Sequence, residues 1–233
     1  MTRTHTIRLL AGGLAAATTL SLVGATAAQA APGATMARLK AAGDSAITSR
    51  LAVLQQLTSE VTGAKHLNAG DASTLLGQIS ADISGLTQLK ATIDAETNGA
   101  NLVTELKSVV TSYRVYVEMV PKVHLVRAAD WVVDVTTTIG GVEPKLQAAI
   151  TAKGNPAAAV AAYGDLVSKV SAAQGLAGGL AGQLEGLTPA QYPTPAQATL
   201  HTDRQTLGTA ASDLKQARAD LQIIRDALKN ATA

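Results

Sequence analysis

The chain has 233 residues, no cysteine, no phenylalanine and only five aromatic side chains, and 15% of its residues are charged. Without cysteine there is no disulfide framework, so the folded form rests on its packed core alone. Arg3 and Arg8 are the only two of the 19 Lys and Arg that precede residue 31, and none of the 17 Asp and Glu does; the remainder carries 17 of each sign, which argues against nucleic acid as a partner because a phosphate backbone calls for net positive charge or a basic cluster.

Residues 1–30 have the three-part layout of a secretory signal peptide. Arg3 and Arg8 form a positive n-region, Leu9 to Ala28 carries no formal charge, and Ala28-Gln29-Ala30 is an A-x-A cleavage signal ahead of Ala31-Pro32. The expectation is cleavage after Ala30 and a mature chain that is secreted or held in the cell envelope. A retained membrane anchor is the competing reading, since the run is about long enough to span a bilayer. Gly, Thr and Ser dilute that run, however, and it ends in small residues. The lack of Cys excludes a lipoprotein signal, and no adjacent Arg pair marks twin-arginine export.

Beyond residue 31 the apolar spacing is helical almost throughout, and alanine, the strongest helix former, is abundant. Leu39, Gly43, Ile47, Leu51, Leu54, Leu57 and Val61 trace one face of a first helix, interrupted by Gly63, Asn68 and Gly70. Asp71 or Ser73 is the expected N-cap of a second, with Leu76, Ile79, Ile83, Leu86 and Ile93 as its seam. A third carries Leu102, Leu106, Val109, Tyr113, Tyr116 and Val120, and Pro121 should end or kink it by pushing Val120 out of the helical region. A fourth begins there and runs towards Lys153, with Gly140-Gly141 and Pro144 as weak points. Asn155-Pro156 signals the start of a fifth, and its QGLAGGLAGQLEG stretch (174–186) is read as a close helix crossing or a frayed helix end. In residues 188–197, TPAQYPTPAQ repeats one tetrapeptide. Thr194 and Gln197 form a capping-box pattern with Pro195 between, predicting the start of the last helix. Leu200, Leu207, Leu214, Leu221 and Leu228 recur every seven residues along it, with Asp203, Ala210, Ala217, Ile224 and Ala231 three places on. Such a repeat predicts coiled-coil packing.

The predicted fold is therefore all-α, an elongated antiparallel bundle of about five or six helices with coiled-coil-like packing. Residues 31–233 are expected to form a single domain, with 31–153 and 155–233 as conceivable sub-bundles. A monomer or a homodimer is compatible with the seams.

Residues 113–131, YRVYVEMVPKVHLVRAADW, hold three of the five aromatics together with three basic residues, two carboxylates and a histidine. Tyr113 and Tyr116 continue an apolar seam and are expected to be core. His124, Arg127 and Trp131 share a helical face. As a site, the stretch would offer Tyr116, His124 and Trp131 as an amphipathic platform, with Lys122 or Arg127 meeting an anion and Tyr113 as a further candidate contact. Both readings, core and site, stand at this level. Catalytic signals are sparse. His5, His66, His124 and His201 are isolated in sequence, and neither a metal-ligand spacing nor a nucleophile elbow occurs. Neither a catalytic residue, a metal nor a cofactor is expected.

The segment SYRVYVEMVPKVHLVRAADW, following LVTELKSVVT, resembles a group of uncharacterised, Ala-rich secreted helical proteins of actinobacteria, over about residues 36–153. The resemblance implies a helical fold and a place outside the cytoplasm, and it transfers neither activity nor ligand. The expected function is a non-catalytic structural or interaction role, with a protein or envelope component of unknown identity as partner and membrane contact only during export. The alternative is a bundle that binds a small ligand or lipid in a pocket near Tyr116 and Trp131.

Overall fold

The structure, a computed structural model, describes residues 32–231; the expected signal peptide lies outside them. All regular structure in that range is helical: α1 (Pro32–Thr62), α2 (Ala69–Ala95), α3 (Gly99–Thr111), a π-turn (Val115–Met119), α4 (Val120–Ala152), α5 (Ala157–Ala177), the short α6 (Leu180–Glu185), a 3₁₀ turn (Pro189–Gln191) and α7 (Ala196–Asn230). The fold is all-α, as the periodicity predicts. None of the described helices is long and apolar enough to cross a membrane.

Most of the predicted seam positions on α1, α2 and α7 are buried, and Leu75 joins them in place of the half-buried Leu76. Ile47, Leu54, Leu57 and Val61 of α1 face Leu75, Ile79, Leu86 and Ile93 of α2 in a core that also takes Leu102 and Val109 of α3 and Val123, Val126 and Val132 of α4. On α7, Leu200, Leu207, Leu214, Ala210, Ala217 and Ile224 are all buried, and α5 lies antiparallel along them. Ala173 and Ala177 join the first core with the N-terminal half of α7, while Ala159, Ala162 and Leu166 form a second with Ala217, Ile224 and Ile150. Alanines at these positions let the two backbones approach closely, so the seven-residue repeat is used within the molecule.

Helix boundaries follow local chemistry more finely than the sequence suggested. Asn68, not Asp71 or Ser73, caps α2: its Oδ1 accepts the Gly70 N–H at 2.7 Å. Asn98 does the same for α3, accepting from Ala100 at 2.8 Å and Asn101 at 3.3 Å. α5 starts one residue later than expected, with Pro156 at its N-cap, because Asn155 is left-handed (φ 55°) and ends the turn that leaves α4. Gly179 (φ 83°) breaks the glycine-rich stretch into α5 and α6, a conformation glycine adopts without strain. Gly140, Gly141 and Pro144 do not interrupt α4. The capping box falls on the first TPAQ copy, where the Gln191 side chain accepts the Thr188 N–H at 2.8 Å; α7 begins at Ala196 behind Pro195.

The largest departure lies at Pro121. α3 ends at Thr111, ten residues earlier than predicted, and Val120 is right-handed helical (φ −59°, ψ −56°). Between them a π-turn carries the chain, with the Val120 N–H bonded to the Val115 carbonyl five residues back. Proline has no N–H to offer and its ring crowds the carbonyl four residues earlier; the wider turn relieves that crowding, and Pro121 then sits in the first turn of α4, where it is tolerated.

One seam position is polar. Asp203 is 3% exposed, its Oδ2 has no hydrogen-bond partner among the described residues, and burial raises its pKa. Asp203→Ala, which puts at this position the residue already found at Ala210 and Ala217, is expected to raise stability at neutral pH by about 1 kcal/mol, the penalty of an unpaired buried polar group. Urea unfolding checks this; a variant less stable than the parent contradicts it.

Candidate functional site

The 113–131 stretch does not form one site. The π-turn and α4 split it into an inward and an outward face.

The inward face centres on Lys122, which is 2% exposed. Its ammonium donates to the Leu187 carbonyl at 2.6 Å and Gln78 Oε1 at 3.2 Å, and lies 3.3 Å from Glu118 Oε1, one turn earlier. Three acceptors match its three donors, while Glu118, also 2% exposed, keeps Oε2 without a partner. Gln78 in turn donates to the Glu185 carbonyl at 2.9 Å. Arg114 donates from Nε to the Pro189 carbonyl at 3.1 Å and stacks over Tyr192 at 4.6 Å. The connection from α6 to α7 is thus pinned by α2, the π-turn and α4. Lys122 is occupied here and is not available to an external anion.

Carboxyl groups beside this cluster are pushed towards neutrality. Burial lifts Asp82 to about 6, against the attraction of Lys122 and with the repulsion of Glu118. Burial also lifts Glu185 to about 7, helped by Asp71 and Asp130. Asp130 rises to about 6, again through burial and the nearby Asp71, although the Asn68 N–H donates to it at 2.7 Å.

The outward face is a recess of about 350 Å³ between α4 and the turn joining α1 to α2. Its walls are Lys65, His66, His124, Arg127 and Trp131, with Leu67 and two alanines. Carboxylates hold these groups from behind. Asp134 lies 2.7 Å from His66 Nδ1, and Glu60 takes Arg127 Nη1 at 2.8 Å and lies 3.7 Å from His124 Nδ1. The His66 imidazole is therefore engaged through Nδ1, while His124 only lies near Glu60. Of the six candidate residues, the structure unites His124, Arg127 and Trp131, as their spacing implies.

The other three lie elsewhere. Lys122 is buried behind the recess. Tyr113 is half-buried against α2, its ring so close over Gly85 that a Cβ there would strike it. Tyr116 is 37% exposed beneath the Arg50 guanidinium of α1 at 5.2 Å, so it is neither core nor part of the recess, because the π-turn rotates it off the seam expected for a continuous helix. Sequence reading missed Lys65, His66, Glu60 and Asp134. Asp134 lies within one turn of Trp131 along α4 and Glu60 sits in the last turn of α1, but nothing local places the 62–68 turn over α4.

Chemically, the recess offers cations, imidazoles and an indole face. No hydroxyl or thiol side chain is among the residues that line it. Among the described residues no group of three or more His, Asp or Glu is arranged to hold a metal ion. No family model, no curated protein and no solved structure matches the chain; what the geometry defines is an all-α helical bundle with a surface recess walled by ionisable side chains and an indole.

Proposed function

We propose that the protein is exported and acts without catalysis, by binding an extracellular or envelope partner through the recess between α4 and the α1–α2 turn. The observation that carries this reading is the convergence in one accessible recess of the chain's sole tryptophan, two of its four histidines and two cationic side chains. The alternative of a lipid pocket is less favoured, because four ionisable side chains wall this recess and it opens at the surface, whereas lipid sites are enclosed and apolar. Export rests on the layout of residues 1–30.

The test is to express the full chain in an exporting bacterium, determine the N-terminus of the recovered protein by mass spectrometry, and measure its sedimentation with isolated cell envelopes. A chain starting at Ala31 that sediments saturably, with Lys65→Glu and Trp131→Ala weakening the binding while melting cooperatively, is the expected outcome. A chain retaining residues 1–30 in the cytoplasm, or envelope binding indifferent to both substitutions, would overturn it.

A further inference from the structure

We propose that the recess binds a carboxylate-bearing saccharide, with one face of an acidic sugar ring on Trp131 and its carboxylate toward Arg127 and Lys65. This rests on the reading of the recess as the contact face. Hydrogen-bonding capacity points to an acceptor-rich ligand. The ionisable side chains lining the recess are Lys65, His66, His124 and Arg127, and no carboxylate lines it. Lys65 is exposed and makes no ion pair among the described residues, and Arg127 uses only Nη1, on Glu60. The rest of the guanidinium fork remains for a planar carboxylate, which it matches in geometry.

Charge favours a single negative group. Glu60 already takes Arg127, so Lys65 is the one cation of the recess without an ion pair among the described residues, a match for one negative charge and less than a phosphate dianion needs against its hydration. Asp134 holds the His66 ring through Nδ1, leaving its Nε2 able to meet a sugar hydroxyl, while Glu60 lies 3.7 Å from His124 Nδ1, beyond hydrogen-bond distance, so that ring too has nitrogen to offer. Indole contributes a flat apolar plane with a negative face, suited to the C–H side of a pyranose. A recess of about 350 Å³ is at the lower end of small-molecule sites and accommodates one such ring, while longer chains would extend into solvent.

Because Trp131 is the only tryptophan, its emission reports this recess alone. The experiment titrates the mature chain with D-glucuronate, glucose, benzoate and inorganic phosphate at constant ionic strength. Glucuronate is expected to give a saturable change, with affinity at least about tenfold above the other three, and Lys65→Gln and Arg127→Gln are each expected to weaken it by about tenfold or more, as loss of a charged hydrogen bond does. Lys65→Gln decides the matter if Arg127→Gln loses its fold with Glu60 left unpaired. No saturable response to glucuronate, an equal response to benzoate or phosphate, or an unchanged affinity in Lys65→Gln overturns the proposal. If glucuronate fails while envelope binding still depends on Lys65 and Trp131, only the ligand is wrong; if envelope binding ignores both, the contact face itself is.

Discussion

Replacing Lys122 with alanine is expected to lower the unfolding free energy by about 3–5 kcal/mol, the effect of leaving one member of a buried ion pair unmatched. Glu118, equally buried, loses the only cation bonded to it, and the acceptors on Gln78 and Leu187 lose their donor. The connection from α6 to α7 should loosen first, since Lys122 holds it at Leu187. Hydrogen exchange at residues 186–192 would then accelerate before the helices themselves open. The double variant Lys122→Met with Glu118→Leu removes both charges and keeps similar volume, so it should regain much of the loss, although the Gln78 and Leu187 oxygens remain without a donor. Guanidinium unfolding of the three proteins measures this. A single-variant loss below about 1 kcal/mol, the range of exposed pairs, would mean that water reaches the ammonium.

Stability is expected to fall as pH rises from about 4 to about 8. Burial raises Asp82 and Asp130 to about 6 and Glu185 to about 7, and raises Asp203. A raised carboxyl pKa means that the folded state holds the proton more tightly than the unfolded chain. The resulting stabilisation is complete below ordinary carboxylate values and is lost as pH passes through about 6 to 7. Asp82, Asp130 and Glu185 are half-buried, so solvent screens part of the effect and the loss is smaller than three independent shifts imply. At the acid end Glu96 acts in the opposite sense, because the Asn98 and Thr97 N–H groups lower its pKa and it favours the fold only while ionised. Melting temperature against pH should therefore peak on the acid side of neutrality, and Asp82→Asn with Glu185→Gln should flatten its decline. A melting temperature that rises steadily from pH 5 to pH 8 would contradict this.

The bundle was legible in the sequence because its seams are written in Leu, Ile, Val and Ala at helical spacing, and most of the residues they pick out on α1, α2 and α7 are buried, the others half-buried. Boundaries were less legible, for reasons particular to each. Asn68 reads as a helix breaker from its neighbours Gly63 and Gly70, yet its side chain is what closes α2. Pro121 reads as a stop, because the usual rule for a residue before proline assumes an ordinary α-turn, and a π-turn removes the conflict. That change of turn moved Tyr116 off the predicted seam and out of the candidate platform, while Tyr113, ahead of the turn, stays packed against the core. His124, Arg127 and Trp131, all beyond the turn, kept their shared face. Their opposite wall comes from residues about sixty positions away, and such a juxtaposition carries no local signal.

α4 and α7 each run past both packed cores, as two beams shared between adjoining rooms. Val123 and Val126 near one end of α4 belong to the first core and Ile150 at the other to the second, while Leu200 and Ile224 divide α7 in the same way. Melting either core requires unravelling a rod that the other still grips, so the two should give way together in one transition. Trp131, against the first core, and Tyr163, against the second, would report that concerted collapse separately in a chain whose other three tyrosines are replaced by phenylalanine.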